Sequence, residues 1–179
     1  MFQSNEKEEK ILEIYNMYYL DVYRFLIVFT GNRSDAEDFT QEVFIRVLHH
    51  LSELNRISHL KAWVMSIAKN VAIDHYRKRR WLVYLSEKVL WNEKTAEKEP
   101  DVMLEQDELK KYVHAAISKL KPPFRAVVIL RGINEFSIKE TAEILQCSES
   151  KVKVNYHRAL KELRRKLNVE NVEVFINAN

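Results

Sequence analysis

The side chains best placed for chemistry in this chain are cations at helical spacing. In the stretch TAEILQCSESKVKVNYHRAL, Thr141 to Leu160, the periodicity predicts a helix, a tight turn and a second helix. That second helix presents Ser150, Lys151, Lys153, Val154, His157 and Arg158 on one side, at spacings that reach base edges and phosphates in a major groove. Ile138, Leu145, Val152, Tyr156 and Leu160 supply packing faces, and Ala142 fits the close crossing such a hairpin needs. The turn carries Gln146 where a glycine would relieve a positive φ. Taken alone, the pattern fits both a DNA-reading hairpin and a helical hairpin with a solvated basic face.

Two further sets stand apart from the hairpin. Trp63, Asn70 and Arg77 recur every seven residues and so share a stripe, which runs into Lys78, Arg79 and Arg80. Asn70 offers a donor and an acceptor to a base edge, the cations suit phosphates, and Trp63 reads as core. Asp38, Gln41 and Glu42 share the polar side of another predicted helix, where carboxylates and an amide can pair with Arg and Lys of a partner or simply face water. Asp35, at the start of that helix, also suits the macrodipole. No metal-spaced Cys/His cluster or Gly-rich phosphate loop occurs, and the six histidines, His49, His50 and His75 among them, are scattered. The expectation is no catalysis, no cofactor, no metal and no small-molecule substrate.

The elements that hold these residues are all helical. Two glycines and three prolines in 179 residues disfavour sandwiches and barrels. Ile11, Tyr15, Tyr18, Val22, Phe25 and Phe29 mark a first amphipathic helix, stopped at Thr30-Gly31-Asn32. A capping box at Ser34 to Glu37 predicts a second helix to about Leu51, with Ala36, Phe39, Val43, Val47 and Leu51 inward and Phe44 and Leu48 alongside. A third runs from about His59 to Arg80, burying Leu60, Val64, Ile67, Ala68, Val71 and Ala72. Periodicity then fades, with some helix around Leu82 to Trp91. Pro100 opens a fourth helix that Pro122 and Pro123 end, Phe124 to Arg131 forms a short one closed by Gly132, and a capping box at Ser137 to Glu140 starts the hairpin.

Charge is segregated along this framework. Glu149 to Leu167 holds seven basic residues against two acids, while Glu93 to Leu109 holds seven acids against two lysines. A net charge of only +3 therefore conceals two basic modules flanking an acidic connector, a layout for touching nucleic acid at two places. The absence of a leader-like start or a long apolar run predicts a soluble, cytoplasmic chain, and the lone Cys147 reads as a packed residue of the hairpin.

Three stretches occur in a telling order: DAEDFTQEVFIRV (Asp35 to Val47), WVMSIAKNVAIDHYRKRR (Trp63 to Arg80) and the segment from Leu120 to Leu167. Together they closely resemble the two domains of extracytoplasmic-function (ECF, group IV) sigma factors of the sigma-70 family. The resemblance implies two small helical domains, region 2 over residues 8–81 and region 4 over 106–168, joined by a flexible acidic linker at 82–105 and followed by a tail at 169–179. It implies a non-enzymatic subunit that binds core RNA polymerase through the β′ clamp helices and the β flap and directs it to promoters, here of a stress or cell-envelope regulon. Asp35, Asp38, Gln41 and Glu42 would dock on the clamp. Asn70, Arg77, Lys78, Arg79 and Arg80, with the loop from Leu54 to Leu60, would engage the minus-ten element. Arg131, Ser150, Lys151, Lys153, Val154, His157 and Arg158 would engage the minus-thirty-five element. The sequence departs from the family pattern at Gln146, Ser150, Lys151, Val154 and Asn155, which bears on base contacts and leaves the packing residues intact. The acidic linker would lie near the RNA exit path, and a membrane-anchored anti-sigma factor would be a further partner. A free-standing helix-turn-helix regulator is the alternative, distinguished by binding duplex DNA as a dimer without polymerase.

Overall fold

The computed structural model describes residues 2–89 and 108–168, and among these it contains helices and no strand. Helix α1 spans Phe2–Thr30, α2 Arg33–His49 and α3 Leu60–Val89; a 3-10 segment, Leu51–Arg56, joins α2 to α3. The second group is α4 (Glu108–Ser118), α5 (Pro122–Val128), a π-helical turn (Ile129–Ile133), α6 (Ile138–Leu145) and α7 (Glu149–Leu167). The beginning proposed for the fourth helix at Pro100, most of the acidic stretch and the tail lie outside the described residues.

The first three helices form a bundle because each carries an apolar stripe. Ile14, Val22, Phe25 and Phe29 of α1 meet Ala36, Val43 and Val47 of α2 and Val64, Ala68 and Val71 of α3 in a buried core. Gly31 takes a positive φ of 68° and donates its N–H to the Ile27 carbonyl, so α1 ends where a left-handed residue is least costly. The cap of α2 differs from the expected one. Asn32, with an extended backbone, accepts from the Asp35 N–H at 2.9 Å, and Ser34 lies inside the helix. Both are good capping types, and the one that directly follows the αL glycine occupies the cap.

Apolar assignments also shift: Tyr15, on the expected inward stripe of α1, is 39% exposed, and Leu60 and Ile67 of α3 are half-buried. Leu48 is 48% exposed, and Ile14, absent from the expected stripe of α1, is buried. From Phe25 to Phe29 every residue of α1 is buried, a helix end covered all round. Its cover comes from the second group of helices. Arg125 of α5, itself buried, donates to the Phe29 carbonyl at 2.8 Å and to the Leu120 carbonyl at 3.1 Å, and also to the Ser118 carbonyl. Its guanidinium lies over the rings of Phe29 and Tyr76, with the carbon 5.0 and 5.3 Å from their centroids. Asn134 adds a hydrogen bond to the Asp21 carbonyl at 2.9 Å, and His59 Nδ1 stands 2.7 Å from Glu143 Oε2. Three carbonyls take up its terminal nitrogens and two aromatic faces flank it, without a carboxylate, while its Nε is buried with no hydrogen-bond partner among the described residues. Burial pulls the Arg125 pKa down, an effect the nearby Tyr76 opposes.

Candidate nucleic-acid and polymerase interfaces

Local sequence fixes the hairpin. The capping box at the start of α6 closes in both directions: Glu140 N–H donates to Ser137 Oγ at 3.1 Å, and Ser137 N–H to Glu140 Oε2 at 2.8 Å. The bonds from Ser137 hold the Glu140 carboxyl below its ordinary value. At the turn, Gln146 adopts φ 52° and ψ 50°, so it takes the left-handed conformation that a glycine would take. Its N–H donates to the Glu143 carbonyl at 3.1 Å and the Cys147 N–H to the Ala142 carbonyl at 3.0 Å, a Schellman closure. Cys147 is half-buried against the core. Ser148 then caps α7 by accepting from the Lys151 N–H.

These turns orient α7 with Val152, Ala159, Leu160 and Leu163 buried, and with Ser150, Lys151, Lys153, Val154, His157 and Arg158 all exposed. The six expected DNA-facing residues of α7 are therefore on one open surface. Arg131 is placed differently. It is half-buried, donates to the Phe136 carbonyl and rests against Tyr156, 5.8 Å from the ring centroid.

On α3, Asn70 and Arg77 are exposed, as are Lys78, Arg79 and Arg80. The residues just before the first two are turned away by about 100°: Lys69 is buried and Tyr76 half-buried. Burial lowers the Lys69 pKa despite the neighbouring Asp74. Trp63 is half-buried with its ring T-shaped to that of His50, consistent with a packing residue. The loop before α3 is anchored by buried Leu54, and its His59 is turned to Glu143 of α6.

On α2, Asp38 and Gln41 are exposed, while Asp35 and Glu42 are half-buried. Glu42 is engaged within the bundle by Arg46 at 2.5 Å and by His75 Nε2 at 2.8 Å, with the His75 ring stacked on Phe39. Partial burial pushes the Glu42 carboxyl up, but the hydrogen bonds from His75 and Arg46 outweigh this and hold it below the ordinary value. Sequence reasoning passed over Ile45 and set Leu48 alongside the inward stripe; both continue the Asp38–Gln41 stripe at helical spacing and are 53% and 48% exposed. Their signal was present: apolar residues off the buried stripe of a solvent-facing helix.

Residues 14–82 match Sigma-70 region 2, and residues 110–163 match Sigma-70, region 4. The chain is 38% identical over 165 residues to the ECF RNA polymerase sigma factor SigX of Bacillus subtilis, an alignment covering 88% of this chain and 84% of that protein. The chain belongs to the ECF RNA polymerase sigma factors. SigM of Bacillus subtilis, another ECF sigma factor, is 33% identical over 85% of this chain and 91% of its own length. In fold the chain is similar to the sigma factor RpoE of Bartonella quintana, solved with the anti-sigma factor NepR, at a TM-score of 0.72 and 23% identity. That match covers 91% of this chain and 99% of the other. CnrH, solved with the cytosolic domain of CnrY, gives a TM-score of 0.64 at 20% identity over 92% and 91% of the two chains. As an ECF sigma factor the chain is a promoter-specific initiation factor. Among its described residues no helix is long and apolar enough to cross a membrane.

Proposed function

We propose that this ECF sigma factor divides its work among three surfaces. Asp38 and Gln41, with Ile45 and Leu48 beside them, dock on the polymerase clamp; Asp35 and Glu42 flank that contact, and Glu42 ties α2 to α3 through His75 while pairing with Arg46 of its own helix. Asn70 and Arg77 to Arg80, with the loop at Leu54 to Leu60, engage the minus-ten element. The exposed face of α7 reads the minus-thirty-five element, with Arg131 supporting it beside Tyr156. The observation that carries this reading is the separation on α7 of a fully packed apolar side from six exposed polar or apolar side chains facing outward.

The chain acts as a non-enzymatic subunit and works inside the cell, where core polymerase and promoter DNA are its partners. Since RpoE was solved with the anti-sigma factor NepR, and CnrH with the cytosolic domain of CnrY, an anti-sigma factor is proposed here too, anchored in the membrane and holding the chain inactive there.

Core RNA polymerase free of other sigma factors, mixed with this chain and a genomic library, gives the test. Discrete transcript starts sharing two spaced upstream elements are expected. Lys153→Ala and Arg158→Ala should each weaken use of the upstream element by about 1–3 kcal/mol where the side chain meets a base. Unchanged promoter choice in both variants removes α7 from the reading, and duplex binding by the chain as a dimer, without polymerase and without specific starts, replaces it by a free-standing regulator.

A further inference from the structure

The loop assigned to the minus-ten element ends against the second group of helices. His59, near its end, has Nδ1 2.7 Å from Glu143 Oε2 of α6. Two residues on, Lys61 pairs with Asp21 at 3.2 Å and holds its Nζ 4.5 Å from the centroid of the Phe136 ring, just before α6. Asn134 closes the same corner by donating to the Asp21 carbonyl. Glu140 lies close enough to share in it: the bonds from Ser137 do most to hold its carboxyl down, and the Lys61 charge adds to them. Glu140 and Glu143, three residues apart on one helix face, thus bring a pair of carboxylates to His59 and Lys61. The other two surfaces stay open, since Asp38 and Gln41 of α2 and the outer residues of α7 are exposed.

We infer that α6 is an internal competitor for promoter DNA: in the free chain its carboxylates occupy the minus-ten loop at His59 and Lys61, and the loop is released only when the two groups of helices part. A carboxylate and a phosphate offer anionic oxygens to the same donors, so one excludes the other. The joint is suited to being opened. Its two ion pairs are partly exposed and therefore weak in water. Two buried atoms at the joint, Arg125 Nε and Asn134 Oδ1, have no hydrogen-bond partner among the described residues, so closure leaves polar groups that water would satisfy once it opens. Core polymerase can meet the closed chain through the open surface of α2, and parting the two groups then frees the loop for DNA. A chain that is closed most of the time binds DNA through this loop in proportion to its open fraction. The inference rests on the assignment of the loop to the minus-ten element.

The test uses the full chain and a single-stranded oligonucleotide carrying the non-template minus-ten sequence of a promoter recovered in the start-site experiment. Without polymerase, Glu143→Lys should bind it about fivefold more tightly than the wild type, the gain expected where the wild type is closed about four-fifths of the time. Glu13→Lys, the same charge change on α1, should stay within about twofold. In holoenzyme, where the two groups are already parted, the advantage of Glu143→Lys should disappear. A second chain, His59→Cys/Glu143→Cys with Cys147→Ser, is bridged by a bis-maleimide whose spacer a reductant cleaves. Cleavage should raise its oligonucleotide binding about fivefold or more. Equal binding by the two lysine variants, a gain that persists in holoenzyme, or a bridge whose cleavage changes nothing overturns the competition while leaving the sigma assignment standing. A wild-type chain that yields no specific starts overturns both.

Discussion

Gln146 sits in the left-handed region at φ 52°, closing α6 through two backbone bonds without the glycine that this conformation favours. A non-glycine residue there carries a Cβ clash of about 1–2 kcal/mol. Gln146→Gly relieves it at the cost of a more flexible unfolded chain. The expected net effect is a stabilisation of about 1 kcal/mol, read as a higher denaturant midpoint at an unchanged slope. An equal or lower midpoint would mean that the Gln146 side chain contributes more than its backbone costs. The residue sequence alone made this turn legible, since the helix boundaries on either side left no other place for the reversal. Arg125 is the opposite case. An arginine within PPFRAVV gives no sign that its guanidinium will be buried, because its partner carbonyl on Phe29 lies 96 residues away.

At the scale of elements, caps decide boundaries that hydrophobic periodicity leaves loose. The sequence around α2 offers Asn32 and Ser34, both competent caps, and only Ser34 is followed three residues later by a glutamate. Asn32 takes the role because Gly31 turns the chain immediately before it, and Glu37 pairs instead with Arg33 at 2.8 Å. Asn32→Ala should therefore destabilise the protein by about 1 kcal/mol, whereas Ser34→Ala should change little. Thermal unfolding of the two variants separates the alternatives, and the reverse order would return the cap to Ser34. The same competition explains the length of α3. Burial on α3 ends at Ala72 and apolar periodicity fades after Arg80, yet the helix continues to Val89 because nothing from Arg77 to Val89 is a glycine or proline, and Arg, Lys and Leu favour helix. Ala36, Val43 and Val47 of α2 and Val64, Ala68, Val71 and Ala72 of α3 were readable as core from period alone; the exposure of Leu48 and the all-round burial of Phe25 to Phe29 were not. An uninterrupted apolar run states that a segment is covered and is silent on which distant element covers it.

For the whole molecule, the two-module organisation follows from composition and spacing, but the contact between modules depends on side chains that only the fold assembles. Arg125 on Phe29, Asn134 on Asp21 and His59 on Glu143 join the α1–α3 bundle to the helices that carry the DNA-reading hairpin. Of these, Arg125 and Asn134 are buried and His59 is exposed, and Arg125 is the buried one whose hydrogen bond is charged, so it dominates the coupling. Arg125→Met keeps much of the volume and the contact with Phe29 and Tyr76 while leaving the Phe29, Ser118 and Leu120 carbonyls without this donor. Buried carbonyls deprived of a partner cost about 1–3 kcal/mol each where water cannot replace it. The carbonyls of Ser118 and Leu120 belong to the same module as Arg125, so that module loses stability of its own. The Phe29 carbonyl belongs to the other, so the joint between them weakens as well. Calorimetry of the wild type should give one cooperative transition, and of Arg125→Met a lower, broader or divided one whose van't Hoff enthalpy falls below the calorimetric enthalpy. A single transition with the two enthalpies still equal would show that the modules are coupled through the surrounding packing and not through this guanidinium.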